Sequence, residues 1–271
     1  FFGNEDKNGI AFATKHPAGF SEADIAVIGF MMPACAAVLE ILGGYRNLDQ
    51  LLRIYVGDEP HKAILSGAVR RGAVTRIRSA ILFADMRNYT QFTATLSPEA
   101  AVELLNAYFD CLVPPIEAEG GEVLKYLGDG LLAIFRERGD DLGGAAQSAL
   151  TAASRALGGL RRAVAEGRFE VPVKVGIALH HGEAAYGNVG SGERLDFTVI
   201  GRDVNLASRL AKLNKTLDEP LLMSKPFVEH LWGDPQLLGL YNLDGFAEAV
   251  EVYRPNGADP VETPSNTSGQ G

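Results

Sequence analysis

The 271-residue sequence contains little cysteine and no excess of basic residues. Its two cysteines, Cys35 and Cys111, form no CxxC pair and no Cys/His cluster, which argues against a structural zinc motif. Two isolated thiols in a chain of this length are typical of a reducing compartment, so we expect a cytoplasmic protein. The net charge of −9 argues against a nucleic-acid partner, because phosphate backbones are bound by clustered Lys and Arg.

The sequence also has no hydrophobic run of the length that a membrane span requires. Residues 25–39 are apolar for 15 residues and are closed by Glu40, whereas a transmembrane helix needs about 20. No basic region of a signal peptide precedes this run. We therefore expect a buried helix of a packed domain and no membrane span. The first residue is Phe1 rather than Met, so we expect a fragment of a longer chain.

What is present begins with two short N-terminal segments. Residues 1–44 predict a strand at 9–13 and then a helix, whose start is marked by Ser21 with Asp24 three residues later. This segment resembles the end of a GAF-like sensory domain. Residues 45–78 predict a helical connector with a break near Gly57.

Residues 79–255 alternate between strand and helix patterns and predict the main domain. Strands are expected at 79–86, 122–126, 131–135, 173–179, 183–186, 194–200 and 221–224, followed by two closing strands. Helices are expected at 98–119, interrupted by Pro114 and Pro115, at 142–166, at 204–213 and up to Trp232. Strand hairpins mixed with helices predict an α+β domain with a mainly antiparallel sheet flanked by helices. Residues 256–271 predict a disordered tail.

Two acidic residues stand at strand ends. Asp85 closes the first strand of the main domain, and Asp129 lies in the turn Gly128-Asp129-Gly130. If the two strands pair, both carboxylates reach one rim of the sheet and form a hard-oxygen site suited to Mg²⁺ or Mn²⁺. Taken alone, each residue is explained equally well by capping or turn geometry.

The segments around these residues resemble the class III adenylyl and guanylyl cyclases. Three segments carry the resemblance in chain order: 83–90 (FADMRNYT), 125–130 (KYLGDG) and 198–209 (TVIGRDVNLASR). The match covers the chain from about Ser79 to Arg254 and implies a ferredoxin-like α+β fold that works as a homodimer. It implies an adenylyl cyclase that converts ATP to 3′,5′-cyclic AMP and pyrophosphate in signal transduction.

The resemblance also implies the roles of individual residues. Asp85 and Asp129 bind two Mg²⁺ or Mn²⁺ ions, and the main-chain carbonyl of Met86 completes one metal site. Lys125 falls at the purine-selecting position, where an ammonium donates to N1 of adenine. Thr198 falls at the second selecting position, as in the class IIIb subgroup, of which several members respond to bicarbonate. Taken alone, Thr198 is explained by its strand propensity.

Asn205 and Arg209 are four residues apart and project from one face of a helix. By resemblance, Asn205 orients the ribose and Arg209 stabilises charge on the α-phosphoryl group in the transition state. In the family, the metal aspartates and these recognition residues of one active site come from two different chains, so a monomer is expected to be nearly inactive.

Some features depart from the family and leave alternatives open. Phe246 stands where many relatives carry a lysine that binds the terminal phosphates, and Arg202, Lys212 or Lys215 could replace it. A guanylyl cyclase is disfavoured by Lys125, and an inactive regulatory dimerisation module is disfavoured because the expected site positions are filled. His180 and His181, predicted in a hairpin before Gly182, are interpreted as structural.

Overall fold

The computed structural model describes residues 10–67, 72, 74–137, 139, 143–191 and 194–256. They form two compact units that divide between Gly67 and Ala68. The predicted disordered tail, 256–271, lies outside the described residues except for Asn256.

The first unit is built on one long helix, α1 (Glu22–Val56). The helix begins at a capping box, in which the Ser21 hydroxyl accepts from the Asp24 N–H and the Asp24 carboxylate accepts from the Ser21 N–H. This start confirms the capping pattern seen in the sequence. The helix ends at Gly57, whose φ is 85°, and a short helix α2 (Asp58–Leu65) follows. The predicted break near Gly57 is therefore confirmed.

The length and burial of α1 differ from the sequence expectation. The apolar run 25–39 lies inside a 35-residue helix in which no residue is buried. The expected buried helix is wrong, because α2 has only eight residues and is too short to cover α1. α1 is long enough and, over an 18-residue window of mean hydropathy 2.2, apolar enough to cross a membrane, a test that core helices and signal sequences also pass. The absence of a span stays a prediction.

The segment boundaries predicted for this unit also change. Residues 10–13, expected as part of a strand, have no regular secondary structure. The expected boundary after residue 44 falls inside the continuous helix α1. The GAF-like assignment stays a prediction.

The second unit contains the predicted main domain. Its described elements are β1 (Val74–Met86), α3 (Tyr89–Thr93), α4 (Pro98–Ala118), β2 (Glu122–Leu127), β3 (Gly130–Arg136), α5 (Gly144–Ala165), β4 (Val175–Ser191), β5 (Arg194–Ile200), α6 (Arg202–Leu217), β6 (Leu221–Ser224), α7 (Lys225–Val228), β7 (Gln236–Tyr241) and β8 (Val250–Arg254). The strands follow the order β2-β3-β1-β4-β6-β8-β7, and β5 pairs with β4. Among the described strand pairs, β4–β6 is parallel and the others are antiparallel. The α+β class with a mainly antiparallel sheet is confirmed.

The two faces of the sheet carry different helices. Alternate residues of β1, such as Ala80 and Leu82, pack into the cluster formed with α4 and α5. Ile81 points the other way, into a cluster with Val204 and Ala207 of α6. α6, which carries two of the predicted site residues, therefore lies on the opposite face from α4 and α5.

Three expectations for this unit are corrected. β1 starts at Val74, so the expected domain start at Ser79 lies inside the strand. α4 runs through Pro114 and Pro115 without interruption, because its apolar face is buried against the sheet and α5 along its length. The hairpin expected at Gly182 is not formed, since β4 is one strand of 17 residues.

Candidate active site

Asp85 and Asp129 lie at one rim of the sheet. Asp85 of β1 is paired with Gly130 of β3 in the antiparallel register. One residue further on, the Met86 N–H donates to the main-chain oxygen of Asp129 at 3.1 Å. The predicted pairing of these two strands is confirmed, and it brings both carboxylates to what we call the aspartate rim (Asp85 and Asp129).

At this rim the backbone of β3 lies so close to the backbone of β1 that position 130 requires glycine. A Cβ atom on Gly130 would lie 2.6 Å from the Ala84 carbonyl oxygen and 3.0 Å from Asp85 Oδ1. Gly128, on the other side of Asp129, has a φ of 73°, a conformation that side chains disfavour. The two glycines therefore set how close the turn comes to Asp85.

The two carboxylates disfavour each other's charge. Asp85 is accessible to solvent, yet partial burial and, to a smaller extent, the charge of Asp129 together raise its pKa to about 6. Burial also raises the pKa of Asp129. A divalent cation would offset both effects, and carboxylate oxygens are the ligands that Mg²⁺ and Mn²⁺ prefer. The residues at the rim therefore fit the predicted metal ions.

Tyr108 of α4 was not identified from the sequence. Its side chain is fully buried, and its hydroxyl has no hydrogen-bond partner among the described residues. Burial and the nearby charges of Asp85 and Asp129 raise the pKa of Tyr108 well above its usual value. Its position in an ordinary amphipathic helix gave no signal, because a buried tyrosine at helical spacing reads as core.

Lys125 and Thr198 are linked through a neighbour of Thr198. The Lys125 ammonium on β2 forms an ion pair with the Asp196 carboxylate on β5. Thr198 lies two residues after Asp196 on the same strand and is half-buried, so both residues share one face of β5. The ion pair therefore connects β2 to β5, two strands that do not pair with each other in the described sheet, and Thr198 lies on the same face of β5 as Asp196.

Asn205 and Arg209 lie on α6, which is attached to β4 at its N-terminal end. The Asp203 carboxylate accepts from the Glu183 N–H at 2.7 Å. Interaction with His180 is the main cause that lowers the pKa of Asp203, although Nε2 of that ring is 3.7 Å from the carboxylate. A Cβ on Gly182 would lie 2.2 Å from Asp203 Oδ2, so Gly182 serves close approach of the helix and not a turn.

The C-terminal end of α6 is attached to the end of β1. Arg87 donates through Nη2 to the carbonyl oxygens of Asn214, at 2.9 Å, and Glu219, at 2.7 Å. It also pairs with the Asp218 carboxylate. The Asn214 amide in turn donates to the Ile177 carbonyl oxygen on β4 at 2.9 Å. Arg87 belongs to the first of the three sequence segments, but its partners are 127–132 residues away and could not be found from local pattern.

The six side chains predicted for the site fall into two groups within one chain. The aspartate rim is one, and the recognition group (Lys125, Thr198, Asn205 and Arg209) is the other. Asp85 pairs with Gly176 of β4, whereas Thr198 pairs with Gly187, eleven residues further along the same strand. Among the described residues, no hydrogen bond or ion pair joins the two groups.

Two further predicted features can be placed. The Arg202 guanidinium lies over the Phe246 ring, 5.7 Å from its centroid, within the range of a cation–π contact. His180 and His181 lie in the middle of β4, not in a hairpin, and both are buried. His180 Nδ1 is 2.7 Å from the Ser224 hydroxyl, which gives His180 a structural partner on β6.

Comparison with known proteins gives the same family from sequence and from structure. The family model for the adenylate and guanylate cyclase catalytic domain matches residues 75–218. An adenylate cyclase of Anabaena cylindrica is 33% identical over 191 residues, 67% of this chain and 37% of that protein. This chain thus spans little more than a third of that relative's length.

Solved cyclase structures match about two thirds of this chain. The adenylyl cyclase CyaB from P. aeruginosa is 25% identical, with a TM-score of 0.59, over 67% of this chain and 94% of that chain. The guanylyl cyclase Cya2 is also 25% identical, with a TM-score of 0.51, over 66% of this chain and 91% of that chain. One of these two matches is named an adenylyl cyclase and the other a guanylyl cyclase.

Proposed function

The chain belongs to the family of adenylate and guanylate cyclase catalytic domains, and we propose that it converts ATP to 3′,5′-cyclic AMP and pyrophosphate. The observation that carries this proposal is the aspartate rim, where two carboxylates with raised pKa lie against a turn that only glycine permits. Two neighbouring, partly buried carboxylates are unfavourable in their charged forms when no cation is bound. The rim is therefore best explained as a cation-binding site.

The proposed chemistry is an in-line displacement at the α-phosphorus. Two Mg²⁺ or Mn²⁺ ions held by Asp85, Asp129 and the Met86 carbonyl would activate the 3′-hydroxyl and neutralise the leaving pyrophosphate. Asn205 orients the ribose, and the planar Arg209 guanidinium donates to the α-phosphoryl oxygens. Both side chains project from a helix attached to the sheet at each end, which limits their movement during the reaction.

ATP is the proposed substrate because of Lys125. An ammonium donates to the unprotonated N1 of adenine, whereas N1 of guanine carries a proton and needs an acceptor. Asp196 holds the ammonium in place, and Thr198 on the same face of β5 offers a hydroxyl to the 6-amino group. A guanylyl cyclase is the alternative, favoured by the structural likeness to Cya2, and an inactive regulatory module is a third.

The active form is proposed to be a homodimer. The aspartate rim and the recognition group face different points along β4 in one chain. Two copies related by a two-fold axis would bring the rim of each chain to the recognition group of the other and form two equivalent sites.

Arg202 is proposed to bind the terminal phosphates. Its guanidinium lies over Phe246, the position at which many relatives carry a lysine for this purpose. Arg202 therefore supplies a positive charge next to the position where the lysine is missing. We prefer it to Lys212 and Lys215 because it is the residue in contact with Phe246. A response to bicarbonate, suggested by Thr198, is tested by measuring activity across bicarbonate concentrations at fixed pH.

The experiment that tests the function measures cyclic product by mass from ATP or GTP with Mg²⁺ or Mn²⁺. We expect cyclic AMP from ATP, and a loss of at least about 100-fold in Asp85→Ala, because a metal ligand is removed. Asp110→Ala is the matched control, since Asp110 is an exposed aspartate on α4 that is not among the predicted site residues. No product from a dimeric protein under any of the four conditions would favour the regulatory module.

A further inference from the structure

A second group of metal-ligating side chains lies outside the proposed active site. Glu137 directly follows β3, His181 lies within β4, and His230 lies two residues after the end of α7. One carboxylate oxygen and one nitrogen from each ring lie within 4.8 Å of one another. No local sequence spacing indicates this group, because three separate elements contribute one residue each.

The group is separate from the aspartate rim. His181 pairs with Ala80 of β1, five residues before Asp85, which is about 16 Å along a strand at about 3.3 Å per residue. Ala80 belongs to the cluster on the face of the sheet that packs against α4 and α5. Any ion bound here would therefore be distinct from the ions proposed for catalysis.

The distances within the group are close to those between ligands of one ion. His181 Nε2 is 2.8 Å from Glu137 Oε1. The rings of His181 and His230 are stacked, with centroids 3.8 Å apart and planes inclined by 25°. Ligands of a tetrahedral Zn²⁺ at about 2.0–2.1 Å lie about 3.3 Å from each other. Because a ring nitrogen binds an ion in the plane of its ring, one ion can be bound by both rings only after they turn out of this stack.

Each of the outer ligands is already oriented by a second partner. His230 Nδ1 is 2.8 Å from the Pro226 carbonyl oxygen, an acceptor only, so Nδ1 carries the proton and Nε2 keeps its lone pair. This arrangement is the one in which metal-ligating histidines are commonly held. Glu137 Oε2 is 3.4 Å from Arg78 Nε, and Oε1 accepts from His181 Nε2, a hydrogen bond that an ion bound between the two atoms would replace.

His181 and Glu137 are both largely shielded from solvent. His181 is 4% exposed, and the Glu137 side chain is 9% exposed. Arg78, with Nε 3.4 Å from Glu137 Oε2, is the positive charge beside the group. An ion bound between the carboxylate and the two rings would therefore be largely removed from water.

We propose that Glu137, His181 and His230 form a site for Zn²⁺ or a similar divalent transition metal, with the fourth position open to water. The donor set of two imidazoles and one carboxylate suits zinc better than magnesium. The bound ion joins the end of β3, the middle of β4 and the segment after α7, and it stabilises the folded protein by mass action.

The test measures Zn²⁺ bound by the full chain after equilibrium dialysis, together with the visible absorption of Co²⁺, which reports tetrahedral nitrogen and oxygen ligands. We expect one equivalent of Zn²⁺ and a tetrahedral Co²⁺ spectrum. His181→Ala, His230→Ala and Glu137→Gln should each bind at least about tenfold more weakly. Zn²⁺ should also raise the Tm of the unaltered protein, and this rise should be lost in His230→Ala.

Two control variants separate this site from other binding. His16→Ala removes an exposed histidine of the first unit, and Asp85→Ala removes a ligand of the aspartate rim; both should keep the Zn²⁺ stoichiometry and the Co²⁺ spectrum. If His181→Ala does not fold, the half-exposed His230 provides the deciding variant. Unchanged Zn²⁺ affinity in a folded His230→Ala, or no Zn²⁺ bound by the unaltered chain, would overturn the proposal.

Discussion

The aspartate rim and the recognition group are built in different ways. At the rim, main-chain contacts set the geometry: Met86 N–H bonds to Asp129, and Gly130 leaves no space for a side chain. In the recognition group, side chains project from β2, β5 and α6, and their positions depend on how those elements are held. The rim is therefore fixed by the backbone fold, whereas the recognition group depends on anchors such as Asp203, Arg87 and Asp196.

This difference predicts different sensitivities. A single added methyl group should disturb the rim, because no flexible side chain can move aside. In the recognition group, a change of charge should alter which nucleotide is used, while loss of an anchor should weaken catalysis only partly. The predictions that follow run from the largest expected effect to the smallest.

The methyl group of Gly130→Ala would meet the Ala84 carbonyl oxygen at 2.6 Å. We expect cyclase activity to fall about 100-fold, since a displacement of about 1 Å in reacting groups has effects of this size. Gly158→Ala in α5 is the matched control, because nothing lies within 4 Å of its added Cβ. That variant should keep full activity and gain about 0.5–1 kcal/mol of stability. Equal activity of the two variants would contradict a rim fixed by its backbone.

Nucleotide choice should depend on the charge at position 125. We expect Lys125→Glu, combined with Asp196→Asn so that two carboxylates do not face each other, to shift the ratio of kcat/KM for ATP and GTP at least about tenfold toward GTP. The measurement is product formation from both nucleotides. Asp196→Asn alone is the control and should keep the preference for ATP. If the ratio of kcat/KM for ATP and GTP is unchanged in the double variant, Lys125 does not select the purine.

The attachment of α6 to β1 should matter less for activity than the rim. Arg87→Ala removes the donors to the Asn214 and Glu219 carbonyl oxygens, which should cost about 1–3 kcal/mol of unfolding free energy and lower kcat several-fold. Arg161→Ala, at an exposed position of α5, should change neither quantity. Denaturant unfolding and steady-state kinetics measure the two effects. A normal kcat in Arg87→Ala would show that this end of α6 need not be held.

The smallest effect concerns stability without metal. The pKa of Asp85 in the folded protein, about 6, is above the usual 3.8, so the stability it provides is present below pH 3.8 and is lost as pH rises through 6. In metal-free buffer, Asp85→Asn should therefore have a higher Tm than the unaltered protein at pH 8, and this difference should shrink at pH 4. A difference independent of pH would contradict the raised pKa.

The sequence contained enough information for the fold class and for the rim. The alternating pattern and the Gly-Asp-Gly turn predicted the strands whose pairing is now seen. Prediction from the sequence failed where contacts between distant parts of the chain override the local pattern. Gly182 reads as a turn, but it lies in a continuous strand because Asp203 of α6 packs directly against it. Burial of α4 likewise overrides the break expected at Pro114 and Pro115.

Within the candidate site, the residues missed are those whose roles depend on distant partners. Asp196 is defined by its ion pair with Lys125, 71 residues away in the chain. Tyr108 is defined by its burial near two aspartates from other elements. Neither lies in a spacing that points to chemistry, so only the three-dimensional structure identifies them.

The most direct test of the account is complementation between two inactive variants. Asp85→Ala damages the aspartate rim and Arg209→Ala the recognition group, so each homodimer should be nearly inactive. When both variants are co-expressed at equal levels, half of the dimers are mixed, and each mixed dimer has one intact site if sites are shared between chains. We therefore predict about a quarter of the unaltered activity. Activity no greater than that of the separate variants, in a preparation shown to contain mixed dimers, would contradict a site assembled from two chains.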